Sequence, residues 1–233
     1  MDIKVHIIAR EGSKRVIRKN LRPLNGKPLV TYAIESALSS KILKKDSIFL
    51  NTECPDIAKI GREYGISIYD REPELAEDDI VLDELTYDFA KNNPCEIVGM
   101  INPVCPLTTG QDIDLGIKQF LDDDCDSLIT VREEQLQTFV NDVPVNFNIG
   151  QKIDKTQDLN PAQIVSWNFC FWKTNNFLST FEEEGFGVFN GKLGLYPIDK
   201  IRGVKISTES DFLISEALLK VRDYKTTGTS TEN

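Results

Sequence analysis

Seven cations crowd into the eighteen-residue stretch R-E-G-S-K-R-V-I-R-K-N-L-R-P-L-N-G-K: Arg10, Lys14, Arg15, Arg18, Lys19, Arg22 and Lys27, opposed only by Glu11. The stretch therefore carries +6, and the chain's formal net charge of −10 leaves −16 for the remainder. A cation cluster inside an acidic protein calls for a local anionic partner. The run before it, I-K-V-H-I-I-A from Ile3 to Ala9, reads as a buried strand, and the partner that fits a cation loop directly after a strand is a polyphosphate. Gly12 and Ser13 let backbone N–H groups curl around oxygens, while Lys14 and Arg15 supply charge. A solvated basic loop would account for the charge alone. It would not account for the strand in front, the Gly-Ser pair and the apolar continuation behind.

Other chemistries have less to stand on. His6 is the single histidine, and its place in the middle of the first strand predicts a packed core residue, which argues against Ser-His-Asp and Cys-His mechanisms. Cys54, Cys95, Cys105, Cys125 and Cys170 are odd in number and show no C-x-x-C spacing. Reduced buried thiols are expected, with neither a zinc site nor a disulfide framework. A sequence pI near 4.8 argues against a nucleic-acid partner, which needs a broad positive face. No apolar run approaches the roughly 20 residues of a membrane span, and the chain enters a strand at once without a secretory leader. A cytoplasmic location is expected.

The elements that must position the cations alternate in type. Pro28 opens a helix carrying Leu29, Tyr32, Ala33, Ala37 and Leu38 on its apolar positions. Strands are expected at 47–50, 66–69, 97–101 and 127–131, and helices at 55–64, 80–91 and 112–121, with Gly65 as a helix stop. That rhythm predicts an α/β fold with a doubly wound, mostly parallel sheet. Ligands in such sheets sit beyond the carboxyl ends of the strands, where the loops starting at Arg10, Thr52, Asn102 and Arg132 emerge. After Arg132 the rhythm breaks. Residues 138–151 alternate apolar and polar as a hairpin would, 163–172 (Q-I-V-S-W-N-F-C-F-W) form an aromatic-rich strand, and 208–220 form a last amphipathic helix. One domain over 1–225 is expected, followed by a disordered polar tail at 226–233.

From Ile7 to Leu29 the chain reads I-I-A-R-E-G-S-K-R, then K-N-L, then L-N-G-K-P-L. This string resembles the opening of the CMP-sialic acid synthetases, the acylneuraminate cytidylyltransferases. Partial matches continue in order: N-T-E-C-P-D-I-A from Asn51, R-E-P-E-L-A from Arg71, N-P-V-C-P-L from Asn102, Q-D-L-N-P from Gln157 and K-I-S-T-E-S-D-F from Lys205. The resemblance implies a CTP-dependent cytidylyltransferase that moves CMP onto an acidic acceptor, usually an α-keto sugar acid, for surface glycan synthesis. It implies release of pyrophosphate, Mg²⁺ as cofactor, and a homodimer formed through a protruding segment at about 131–173. The nucleotide-binding set is then Ala9, Arg10, Gly12, Ser13, Lys14, Asn20 and Arg71, the last near the cytosine. Arg10, Lys14 and Lys19 are the catalytic cations, since phosphoryl-type transfer asks for charge placed around oxygens more than for covalent work.

The chain also departs from the family pattern. Asn102–Thr108 (N-P-V-C-P-L-T) lacks the family's glutamine and arginine, and Val165–Trp172 keeps an asparagine, Asn168, but not the arginine expected to face an acceptor carboxylate. Asn102, Asn168 and Lys205 become the acceptor-binding candidates. Where the family places two metal-binding aspartates, this chain has Lys205 and Ser207. A lysine cannot ligate Mg²⁺, and serine is a weak neutral ligand. Metal binding has then passed to Glu209 or Asp211, or Lys205 supplies the positive charge beside a Mg²⁺ held mainly by the nucleotide. A different acceptor (a keto-octulosonic acid or a phosphonate) and a catalytically weakened nucleotide-binding homologue are the other readings. The aromatics of 167–172, together with Phe139, Val143 and Phe147, are expected at the dimer interface.

Overall fold

The computed structural model describes residues 1–153 and 155–228. Seven strands, β1 (Ile3–Ile8), β2 (Ile48–Thr52), β3 (Ser67–Asp70), β4 (Ile97–Ile101), β5 (Ser127–Glu134), β6 (Ala162–Lys173) and β7 (Leu193–Ile198), build one sheet. Their order across it is β7-β5-β6-β4-β1-β2-β3. Every ladder is parallel except the two made by β6, which runs against both β4 and β5. The helices are α1 (Leu29–Leu38), α2 (Pro55–Tyr64), α3 (Leu82–Asn92), α4 (Gly110–Asp122), α5 (Thr174–Glu184) and α6 (Glu209–Gly228). The doubly wound, mostly parallel α/β sheet expected from the sequence is the one observed.

The central strands are apolar nearly end to end because both faces are covered; all five residues of β4 are buried. On one face, Ala33 and Ile34 of α1, Ile57 of α2 and Ile117 and Phe120 of α4 pack against Val5, Ile7 and Phe171. On the other, Phe89 of α3 and Phe177 of α5 close over Val98, Met100 and Trp172. His6 lies on that second side, stacked on Phe89 at 4.5 Å with Asn51 Nδ2 3.2 Å from its Nδ1. Burial, then the nearby Arg71 charge, lowers its pKa from 6.5 to about 3, so it is a neutral core residue. Gly65 ends α2 at φ +69°, the left-handed conformation that a helix stop requires.

A third cluster lies under the cation loop. Val16, Leu24, Leu29 and Tyr32 meet Val104, Ile206 and Phe212 of α6. Val16 is thus the apolar anchor that holds a strongly charged segment against the carboxyl ends of β1 and β4. Those two strands are neighbours at the point where the chain, having wound one way through β2 and β3, begins to wind the other. Open α/β sheets bind ligands at such a switch.

Three expectations are corrected here. The rhythm does not end at Arg132: β6 enters the sheet between β4 and β5, α5 follows, and β7 returns parallel to β5. Of the stretch expected to protrude, Val131 and the run Phe169–Trp172 are buried core. Residues 135–161 are the part outside the large sheet, and they carry a short ladder pairing Phe139–Val140 with Val143–Pro144. Finally, α6 runs to Gly228, past the Thr226 where the tail is expected to begin; residues 229–233 lie outside the described residues. No helix among the described residues is long and apolar enough to cross a membrane.

Candidate active site

A cavity of about 420 Å³ opens at the β1/β4 switch, and cations line it. The cation loop sends four of its seven charges there, Arg10, Lys14, Arg15 and Lys19, and Lys205 and Arg71 arrive from distant parts of the chain. The other three are engaged elsewhere. Arg18 pairs with Glu11 at 3.2 Å and Asp56 at 3.0 Å. Arg22 reaches Glu209 at 2.7 Å and lies 4.2 Å over the Phe212 ring. Lys27 pairs with Glu35. Sequence proximity made one cluster of seven; the fold separates a converging group from ordinary surface pairs.

Carboxylates hold the converging group in place. Arg10 donates to the carbonyls of Ala76 at 3.0 Å and Glu77 at 3.1 Å, and its Nη2 pairs with Asp78 at 3.0 Å. Lys14 pairs with the other oxygen of Asp78. The Lys14 hydrogen bond, followed by the Lys14 and Arg10 charges, holds the Asp78 carboxyl below its usual range. Asp78 thus stands as an anion between two cations. Deeper in, Arg71 pairs with Glu53, whose Oε1 also accepts the Glu11 N–H at 2.9 Å. Arg71 is not a surface charge at a helix entry, because its side chain is only 1% exposed. Lys19 donates to the Ile206 carbonyl at 3.0 Å. Burial first, then Arg15 and Lys205, brings its pKa down to about 8.

Two buried polar atoms in the cavity wall lack a partner: Asn20 Oδ1 and Arg71 Nε. Asn20 Nδ2 is already committed to the Arg10 carbonyl at 2.9 Å, which aims the orphaned oxygen elsewhere. A buried acceptor and a buried donor left open call for a polar ligand.

Of the residues expected from sequence, Arg10, Ser13, Lys14, Lys19, Asn20, Arg71, Asn102 and Lys205 line this one cavity. Ala9 and Gly12 do not. Ala9 is buried with its N–H on the Asn51 carbonyl at 3.0 Å, and Gly12 is an open loop position. Asn168 also lies outside the lining. It is fully buried and braces two loops, with Nδ2 donating to Thr108 Oγ1 at 2.8 Å and to the Arg202 carbonyl at 2.9 Å. The metal candidates also fall outside the lining. Asp211 Oδ2 accepts from the N–H groups of Ser207 at 2.9 Å and Thr208 at 2.8 Å at the start of α6, and Glu209 is held by Arg22. Among the described residues, no three His, Cys, Asp or Glu side chains converge as a metal site. Glu77 is the one acidic residue in the lining, and Asp78 and Glu53 beside it are spent on arginine and lysine, so too few carboxylates converge to fit a protein-held Mg²⁺. The contributions of Glu53 and Asp78 could have been sought only through the basic loop's need for counter-charge, because their spacing along the chain gives no signal.

A family model described as cytidylyltransferase matches residues 5–163. The chain belongs to the cytidylyltransferase family. It is 28% identical to post-translational flagellin modification protein B of Campylobacter coli, over 96% of this chain and 97% of that protein. It is 26% identical to an N-acylneuraminate cytidylyltransferase of Streptococcus agalactiae, over 89% of this chain, and spans about half of that longer protein, 51%. Among solved structures, a CMP:2-keto-3-deoxy-manno-octonic acid synthetase complexed with CTP superimposes with a TM-score of 0.71 at 12% identity, covering 95% of this chain and all of the other. At that identity the last likeness speaks for the fold. Family membership makes the chain a CTP-dependent nucleotidyltransferase.

Proposed function

We propose that this cytidylyltransferase moves CMP from CTP onto a sialic-acid-like nonulosonic acid, forming an activated precursor for a surface glycan. The observation that carries the reading is the convergence of Arg10, Lys14, Arg15, Lys19 and Lys205 on one cavity at the sheet's switch point. The acceptor oxygen attacks the α-phosphorus in line as the bond to the departing pyrophosphate breaks. Arg10, Lys14 and Lys19 offset the charge that gathers on the phosphate oxygens. Asn20 and Arg71 offer the nucleotide one acceptor and one donor, and Asn102 with Lys205 faces the acceptor's carboxylate. Five free cysteines suit a reducing cytoplasm.

Mg²⁺ reaches this site on the phosphates of CTP, because among the described residues no set of carboxylates converges to hold it. The test is pyrophosphate release from CTP with a panel of acidic sugars, paired with calorimetric titration of Mg²⁺ into the protein with and without CTP. Release with a nonulosonic acid and metal binding only in the presence of CTP are expected. Release with a keto-octulosonic acid or a phosphonate alone would reassign the acceptor. CTP binding without release from any acid would leave a nucleotide-binding homologue, and tight Mg²⁺ binding by the free protein would show that other carboxylates had rebuilt the metal site.

We also propose that the chain is a homodimer through residues 135–161. Leu136, Phe139, Val143, Ile149 and Ile153 of this segment are all more than half exposed. An apolar, partly extended surface of that kind is an aggregation hazard unless it is covered. Sedimentation at micromolar concentration is expected to give about twice the 26.3 kDa chain mass; a monomer at that concentration would remove the proposal.

A further inference from the structure

A second compartment of about 270 Å³ adjoins the cation cavity and shares with it Ile8, Ile80, Leu85, Asn102 and Lys205. Its own wall is Val81, Leu82, Met100 and Trp167. Polar side chains occur only at the shared boundary, where Asn102 and Lys205 stand; beyond them the wall is aliphatic and aromatic. Trp167 reaches this wall by an unusual backbone route. Its φ is +61°, a region that bulky residues avoid. The register of β6 against β5 slips between Val165 and Cys170 at the same place. Thr130 Oγ1 accepts the Asn168 N–H at 2.8 Å and donates to the Phe169 carbonyl at 3.1 Å, and Cys105 Sγ lies 4.0 Å from the Trp167 carbonyl. The bulge is therefore held from both neighbouring elements. Its effect is to bring an indole that strict alternation would assign to a sheet face to the compartment, where Phe189 supports it edge-on at 5.8 Å. Backbone outliers maintained in this way cluster at ligand sites.

Resting on the function proposed above, we infer that this compartment takes the part of the acceptor remote from its carboxylate and selects for methyl and N-acyl groups there over hydroxyls, with Trp167 as the specificity-determining residue. The anionic end of the acceptor lies at the boundary, beside Lys205 and Asn102. Hydroxyls pressed against Leu82, Met100 and Trp167 would lose water and gain no protein partner, whereas methyl and acetyl groups gain by leaving water.

The emission of Trp167 gives a readout that does not depend on turnover. The other tryptophan, Trp172, is buried with its Nε1 donating to the Val188 carbonyl at 2.8 Å, and provides a constant background. With the full chain and saturating CTP, a diacetamido-tetradeoxy nonulosonic acid, which ends in a methyl group, is expected to change this emission and to be used with a kcat/KM about tenfold or more above that of a polyhydroxylated keto-octulosonic acid. Trp167→Phe should abolish the emission change. Leu82→Asn, at the half-buried start of α3, should shrink the preference through the KM of the acylated acid while leaving CTP affinity unchanged, which also reports that the variant has folded. Equal or better use of the polyhydroxylated acid would overturn the inference and leave cytidylyl transfer standing. An emission change produced by CTP alone and none by either acid would place the base, not the acceptor, in this compartment, and would overturn it as well. If no acid is turned over, the function proposed above fails, and the emission titration still decides which acid the compartment accepts.

Discussion

Arg71→Ala is expected to lower the unfolding free energy by about 3 kcal/mol and to abolish measurable CTP binding, two effects that a second substitution separates. The side chain of Arg71 is 1% exposed and that of its partner Glu53 is 16% exposed. Removing one member of a buried ion pair leaves the other charge desolvated and uncompensated, typically at about 3–5 kcal/mol. Glu53 retains some access to water, which puts the loss at the lower end. Adding Glu53→Gln removes the stranded charge while keeping an oxygen for the Glu11 N–H, so the double variant should recover most of the urea midpoint. It should not recover CTP binding, because the guanidinium whose buried Nε lacks a protein partner is still missing. A double variant that binds CTP as tightly as the parent would make Arg71 a strut of the fold and nothing more.

Much of this architecture could be read from the chain, and particular residues show why. Apolar runs such as I-V-G-M-I at Ile97–Ile101 have a single reading, a strand covered on both faces. The cation loop was legible because Gly12, Ser13 and Lys14 follow such a strand directly. The readings failed where the deciding fact was a tertiary one. The strand Ala162–Lys173 is as apolar as an interface strand would be, and composition cannot distinguish burial by a partner subunit from burial by α4 and α5. The helix Thr174–Glu184 went unassigned because Phe177, Leu178 and Phe181 make a thin apolar stripe. The strand Leu193–Ile198 went unassigned because Gly194 and Pro197 are poor strand formers. Trp167 defeated the alternation rule because a bulge resets the parity of every residue around it. Asp78 and Glu53 gave no local signal, since the cations they pair with are more than 60 residues away for Asp78 and 18 for Glu53.

Lys19 is where that arrangement meets pH. Lys19→Ala is expected to weaken CTP binding by about 1.5–3 kcal/mol, the usual loss for a charge-assisted contact, or roughly 10- to 150-fold. The parent protein should itself lose affinity as pH rises through about 8, where burial and the neighbouring cations Arg15 and Lys205 have placed this ammonium. Below that value Lys19 is charged and offers its proton to phosphate oxygens; above it the free enzyme must first take up a proton, so calorimetry at pH 8.5 in buffers of different ionisation enthalpy should reveal proton uptake on binding. The stability of the free protein should move in the opposite sense. Between about 8 and the ordinary lysine value of 10.5 the unfolded chain holds a proton that the folded one lacks, so stability rises with pH through that window, and the penalty of burying the charge is fully present below it. Lys19→Arg, which stays charged throughout, should flatten the binding profile, and Lys19→Met should remove the proton uptake altogether. If Lys19→Met binds CTP with the parent's pH dependence, the titrating group is not Lys19, and this half-buried cation of the cavity has no part in holding the phosphates.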